Sequence, residues 1–542
     1  MRTKINKTYV VALRVFILLL LAITLVGCTS KTSETPTNES ETTSTNAESE
    51  TTETSENDKY GGTLKIVSGD NLMNLGLPPL IRSRGDSIVS LTVYETLARY
   101  NEAGEIIPWL AKGWEADPEA KTISVELNQG IKFHDGTDFN AEAVKWNIEH
   151  YRDKGRVEAS AVESIDVLDE YNLKLNLSNW DNSIFEALFG FEQMASPTAY
   201  QEKGEEWLQE NPVGTGPFVF KEWIKDQKVT FVKNENYWVE GLPYLDAVEF
   251  NTIKEPATAE AAMMAGDYDL YLYTSPHSAR NLESSFEIET LENANGAIGY
   301  SLAPDSENPD SPLTDVNVRK AIGYAIDKQA IVDTIFYGYA EAVNQWAVPK
   351  SLVFSQDVEG TPYDPEKAKE LLKTAGYSNG LDLTLTFSNN NPDMIQMYTA
   401  VQAYLKEVGI NLELNGVQSS HWAEKTGSEG TWEDLIHTTF RISNNVIFDF
   451  NRSMASDSSH YRMTKLNEDA ETLLKSAETM TTSEDLIDLS QQLQELIFGE
   501  YQTSIPLVVM STLLAQNGKV QDHGFLQTQM THWNPETAWL KK

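Results

Sequence analysis

The sequence predicts an α/β fold. Runs of period-two alternation recur along it, helical stretches with apolar residues three and four apart lie beside them, and the two kinds of segment alternate. From Lys59 to Lys542 aromatic and aliphatic residues are well distributed, and that length suits two or three domains around substantial cores.

The first strand is expected at Gly61-Gly62-Thr63-Leu64-Lys65-Ile66-Val67, before the polar turn Ser68-Gly69-Asp70. A helix is expected over 87–97, with Ile88, Leu91, Tyr94 and Leu97 on one face. Thr122–Leu127 alternates as a strand, and Ile131–Phe133 reads as a second short one. Asp135-Gly136 then turns the chain into a helix capped by Asn140, whose buried side is marked by Ala141, Val144, Ile148 and Tyr151. Further on, Val318, Ile322 and Ala325 share a helical face. Asp364 is placed to cap a helix with Pro365 at its first position, and Gly376 to end it in the left-handed conformation. Val401, Tyr404, Leu405 and Val408 repeat the helical pattern before Gly409, and strands are expected at Leu381–Leu385 and Asn411–Leu414.

The N-terminus carries a different signal. Arg2, Lys4, Lys7 and Arg14 precede an apolar run from Val15 to Val26, and Leu25-Val26-Gly27 leads into Cys28, the only cysteine in the chain. A basic start, a short apolar core and small residues at the cleavage point form a secretory signal, and the run is shorter than the ~20 residues of a spanning helix. The segment resembles the lipobox of bacterial lipoproteins. That resemblance implies cleavage after residue 27, a lipid on Cys28, and a protein held on the extracytoplasmic face of the cell membrane without crossing it. Residues 29–58 are dominated by Thr, Ser, Glu and Asn, with no aromatic or large aliphatic residue, and are expected to form a disordered tether. The folded body is expected to span 59–542.

Composition excludes several function classes. A formal charge of −39, with no basic cluster, argues against a nucleic-acid partner. With Cys28 lipidated, no thiol remains for disulfides, cysteine metal sites or nucleophilic catalysis. Gly214-Thr215-Gly216-Pro217 lacks the Lys-Ser/Thr of a phosphate-binding loop. None of the eight histidines forms an H-E-x-x-H pair. No catalytic residue, cofactor or resident metal is therefore expected.

Five landmarks in order point to one family. They are the block from Pro108 to His150, Asn211–Phe218 with Asn236-Tyr237-Trp238, Met264–Asp269, Val318–Asp327, and Tyr363–Ala368 with Ala375-Gly376-Tyr377. The chain thereby resembles the family 5 extracellular solute-binding proteins, the peptide- and nickel-binding components of ABC importers. The resemblance implies a two-lobed periplasmic-binding-protein-like fold with hinge strands and an extra subdomain. It places lobe I at about 60–97, 212–292 and 505–542, the subdomain at about 98–211 and lobe II at about 293–504. It also implies a monomer that takes a peptide or small-molecule ligand to a permease powered by a separate ATPase.

On that basis the ligand-binding candidates are Asn71, Met73 and Asn74 after the first strand, Tyr271 (with Tyr273 beside it), Trp346, Trp422, Arg441 and Asn444. In peptide-binding relatives the last region commonly carries a Gly-Trp pair and then an aspartate that holds the peptide's ammonium group. Here the pair is missing, Arg441, Ser443 and Asn444 occupy that segment, and Asp449 lies several residues late. An arginine suits a carboxylate, as in a peptide C-terminus or a carboxylate-bearing metal chelate. Trp422 and Trp432 offer flat apolar faces for stacking, and an aromatic-lined sugar site is a third reading.

Overall fold

The computed structural model describes residues 58–542, apart from 71, 82, 102–105, 181–183, 291–296, 428–429, 443–445, 457, 459, 462, 478–479, 481–482 and 526–532. Cys28 and its tether lie outside the described residues. Among the described residues, strands assemble into three larger sheets, and helices alternate with strands as the sequence predicts.

The first sheet runs, edge to edge, through Glu287–Thr290, Leu513–Gln516, Leu270–Leu272, Thr63–Ser68, Ala247–Thr252, Lys228–Lys233 and Phe218–Ile224. Thr63–Ser68 lies parallel to both Ala247–Thr252 and Leu270–Leu272. One face packs Leu64, Ile66, Leu270 and Leu514 with Trp533, and the other packs Val67, Tyr271 and Ala515 beneath helices Pro256–Ala265 and Pro276–Leu282.

The second sheet runs through Ala340–Ala342, Ile505–Met510, Ile298–Pro304, Leu435–Arg441, Leu381–Ser388 and Ile410–Val417. Strand Ile505–Met510 pairs with Ile298–Pro304 in this sheet. The chain then returns to the first sheet at Leu513. Helices Val316–Ala325 and Pro392–Glu407 cover one face with Val318, Ile322, Ala325, Val401 and Leu405. Trp346, Phe440, Phe450 and Phe498 fill the other.

The third sheet is antiparallel, in the order Ala111–Asp117, Thr122–Leu127, Asn172–Leu177, Val162–Val167, and helix Ala141–Asp153 covers it. The Asn140 side chain accepts from Ala143 N, as its cap position requires. Its junction with the first sheet is Glu95. That buried carboxylate accepts from Trp109 Nε1 at 2.8 Å, the Tyr237 hydroxyl at 2.8 Å and Trp238 Nε1 at 3.0 Å. Burial pushes its pKa up to about 7 despite these donors.

Two local expectations fail, both through tertiary contacts. The first helix is shorter than expected, Arg84–Ser90, because the carbonyls of Thr92 and Val93 accept from Phe218 N (3.2 Å) and Gly216 N (2.8 Å) instead of continuing a helical ladder. Residues 131–133 form only an isolated bridge, Lys132 with Asp138. The Asp135-Gly136 turn closes too tightly for a ladder, with Phe133 N bonded to Thr137 O. Gly214 and Gly216 have a packing reason as well: a Cβ would stand 2.3 Å and 2.6 Å from Val93 O.

Candidate functional site

Strand register places the site. Leu513 pairs with Thr290, and Thr274 N donates to Leu513 O, so the carboxyl end of Leu270–Leu272 meets the edge where the chain leaves the first sheet. The parallel strands Thr63–Ser68 and Ala247–Thr252 end on that same edge. In the second sheet Ile298 pairs with both Met510 and Arg441, and the parallel strands end at Ser388, Val417 and Arg441. The chain leaves the first sheet at Thr290, enters the second at Ile298, and returns through 511–512. Both sheets therefore turn the carboxyl ends of their parallel strands toward the crossing segments, and it is outside such ends that open α/β sheets bind ligands.

The second sheet opens there. Leu435–Arg441 pairs with Leu381–Ser388 only at Leu385–Leu435 and Thr386–Ile436. Beyond that point Leu381–Ser388 continues on Ile410–Val417, and Leu435–Arg441 continues on Ile298–Pro304. Helix Ser419–Thr426 serves the gap: Trp422 Nε1 donates to His437 O at 3.0 Å, supplying the partner that the lost ladder would have given. Ser388 Oγ and Ser419 Oγ lie 2.9 Å apart beside it. The His437 ring is within 2.6 Å of the Tyr398 hydroxyl, and burial pushes its pKa down to about 4, leaving it neutral.

Arg441 ends the strand exposed to solvent. Asp449, buried on helix Val446–Met454, has its pKa raised to about 6 by burial, and the charges of Arg452 and Arg441 draw it back down. Among the described residues no direct ion pair ties Arg441 to a carboxylate.

The other sequence candidates fall in different places. Asn71 and Asn444 lie outside the described residues. Met73 is 76% exposed, and its N–H donates to Asp86 Oδ1 at 2.8 Å. Asn74 turns its own loop, its Oδ1 accepting from Gly76 N at 3.2 Å. Tyr271 and Trp346 are core residues in this structure. Tyr271 packs with Val67, Met263 and Leu282 on the helix-covered face of the first sheet. Trp346 is 1% exposed, stacks on Phe440 at 5.0 Å and donates from Nε1 to Ser301 Oγ at 3.0 Å. Trp422 serves the backbone, and Trp432 is buried against Tyr461. Sequence reading missed His277, Tyr337, Tyr339 and Asp393, which border the same edge. Their signals are weak: Asn391-Pro392-Asp393 marks only a helix start, and Tyr337-Gly338 only a turn. Among the described residues no group of three or more His, Cys, Asp or Glu side chains is arranged to hold a metal ion, and no helix is long and apolar enough to cross a membrane.

Comparison with known proteins agrees with this architecture. The "Glutathione-binding protein GsiB" of Shigella flexneri is 30% identical over 355 residues, covering 64% of this chain and 68% of its own. Two solved structures share the fold. One is the periplasmic binding protein DppA from Helicobacter pylori in complex with the peptide STSA, at TM-score 0.73 and 23% identity over 90% of this chain and 99% of that one. The other is NikA from Brucella suis in complex with Fe(III)-EDTA, at TM-score 0.76 and 22% identity over 88% and 100%. Both are two-lobed binding proteins. Residues 105–451 match the family described as "Bacterial extracellular solute-binding proteins, family 5 Middle", and with five sequence landmarks, two strand-edge clusters and this match in agreement, the chain belongs to family 5 of the bacterial extracellular solute-binding proteins, the substrate-binding components of ABC importers.

Proposed function

We propose that this protein captures peptides that present a free carboxylate, holds them between its lobes and delivers them to the importer's permease, tethered to the outer face of the membrane by lipid on Cys28. The observation that carries the ligand reading is Arg441: an exposed guanidinium at the carboxyl end of a parallel strand, where the sheet has parted. A planar, permanently charged fork binds carboxylate bidentately and cannot serve an ammonium group. Glutathione and the peptide STSA, named for the relatives above, both bear carboxylates. The parted strands offer backbone groups for directional hydrogen bonds, and the neutral His437 buried beneath them adds no competing charge.

A metal chelate with carboxylate arms is the second reading. The same arginine favours it, and the described side chains form no metal site of their own, so a metal would arrive with its own ligands.

The test is native mass spectrometry of the protein purified gently from its own organism, followed by denaturation to release what it carries. A ladder of peptide masses supports the first reading; a single organic mass with a metal isotope pattern replaces it with the second. In titrations with the released ligand, Arg441→Ala is expected to weaken binding by about 1–3 kcal/mol. Unchanged affinity in that variant would remove the arginine from the site and the carboxylate from the argument.

A further inference from the structure

The crossing segments are not the only place where the lobes touch. Between helix Lys328–Ile335 and strand Ala340–Ala342 the second lobe makes a tight turn at Phe336–Tyr339. It is pinned from behind by Gly338 N on Val332 O (3.1 Å) and Tyr339 N on Phe336 O (2.8 Å). Tyr337 and Gly338 are both left-handed, at φ 53° and 83°. Glycine adopts that conformation freely; a tyrosine pays for it in strain and is seldom found there unless its surroundings hold it.

What the turn accomplishes is a contact with the first lobe. Tyr337 presents its ring to His277 on helix Pro276–Leu282, with ring centres 6.3 Å apart. The Tyr339 hydroxyl donates to Glu283 Oε2 at 3.1 Å, and Glu283 is itself paired with Arg280. Asp393, at the start of helix Pro392–Glu407 in the second lobe, lies within the electrostatic reach of His277. The same turn touches a crossing segment, since Ser511 N donates to Tyr339 O at 3.3 Å. One tyrosine thus bonds a hinge residue through its backbone and the opposite lobe through its side chain.

We propose that the Phe336–Tyr339 turn is an interlobe brace that biases the hinge toward closure and so sets how much of the ligand's binding energy is spent on closing it. The proposal rests on the two-lobed fold, not on the identity of the ligand. A contact made in one hinge position and lost in the other shifts the equilibrium by its own differential free energy, whatever is bound. The strained tyrosine backbone is the local cost of presenting both rings to the other lobe.

The test needs no ligand. Cys28 is the only cysteine, so a full-length Cys28→Ser chain accepts spin labels at introduced thiols alone. Met264→Cys on the first lobe and Glu407→Cys on the second are both exposed. Electron-spin distance measurement on the ligand-free protein then reads the lobe separation. Tyr339→Phe removes the donor, and Glu283→Ala removes the acceptor. Each is expected to raise the more open population about three- to tenfold. The double variant should open no further than either single one, because both changes remove the same bond. An unchanged distribution in either single variant, or a shift in the double variant equal to the two combined, overturns the brace.

Discussion

His134 shows how a single buried side chain can tie this fold to pH. Its Nε2 faces Gly216 O at 2.9 Å, so that nitrogen carries the proton, and Nδ1 is buried with no partner. Charging the ring would put a second proton on that isolated nitrogen. Burial accordingly pushes the pKa down to about 4, against a modest opposing pull from Asp135. For a base whose pKa is lower folded than unfolded, the unfolded chain takes up protons that the folded one refuses. Stability from this group is intact above about pH 6.5 and is lost as pH falls toward 4, by roughly 3 kcal/mol in all. His437 behaves alike. Glu95 and Glu192, raised by burial to about 7, act in the opposite sense, binding protons first in the folded state. Urea unfolding of His134→Gln, compared with wild type between pH 6.5 and 4, should therefore show a pH slope reduced by about one proton. A parallel slope would mean that the ring is already charged or already solvated. Residue roles of this kind were only partly legible beforehand. Caps such as Asn140 and Asp364 depend on neighbours within three positions, and both accept the predicted backbone N–H. Trp346 and Tyr271 depend on what lies across the sheet, which a sequence window does not contain.

Helix Val316–Ala325 is fastened by one arginine. Arg319 is buried and donates to Leu313 O at 2.7 Å, Thr314 O at 3.0 Å, Tyr501 O at 2.7 Å and Gln502 O at 3.0 Å. Four carbonyls converge on one guanidinium, and burial lowers its pKa to about 10 without neutralising it at physiological pH. Arg319→Ala should cost about 3–5 kcal/mol by thermal unfolding, because the carbonyls lose their partner in a place water reaches poorly. Arg319→Lys should recover only part of it, since an ammonium group cannot reach all four acceptors. A loss under ~1 kcal/mol would show that the segment relaxes to satisfy itself. The helical face made by Val318, Ile322 and Ala325 is legible from spacing alone. The parting of Leu381–Ser388 from Leu435–Arg441 is not: both strands alternate normally, and nothing in either says where their pairing stops. The candidate site was visible in sequence as an unusual arginine, whereas the gap it stands beside comes from long-range register.

At the scale of the whole molecule the proposed anchor can be tested apart from the ligand. Cys28→Ser is expected to abolish incorporation of labelled fatty acid and to shift the protein from the membrane fraction to the medium or to an unprocessed precursor. Labelling that persists would refute lipidation at this residue. The last crossing between the sheets is set by topology: strand Ile505–Met510 completes the second sheet, and Leu513–Gln516, after two intervening residues, completes the first. Five local landmarks identify the family, but the point at which a strand changes sheets depends on pairing between distant segments.

That late strand has a consequence for how the chain is made. Leu513–Gln516 sits between Leu270–Leu272 and Glu287–Thr290, and among the described residues Glu287–Thr290 has no other strand partner. While the chain is still emerging from the ribosome, the strand that must fill that slot does not exist, and two strand edges stay unsatisfied. The first lobe can finish only after residue 513 has been synthesised, however early its opening strand appears. For a protein destined for the far side of a membrane, which must be threaded through before it sets, this order of assembly delays folding by topology alone.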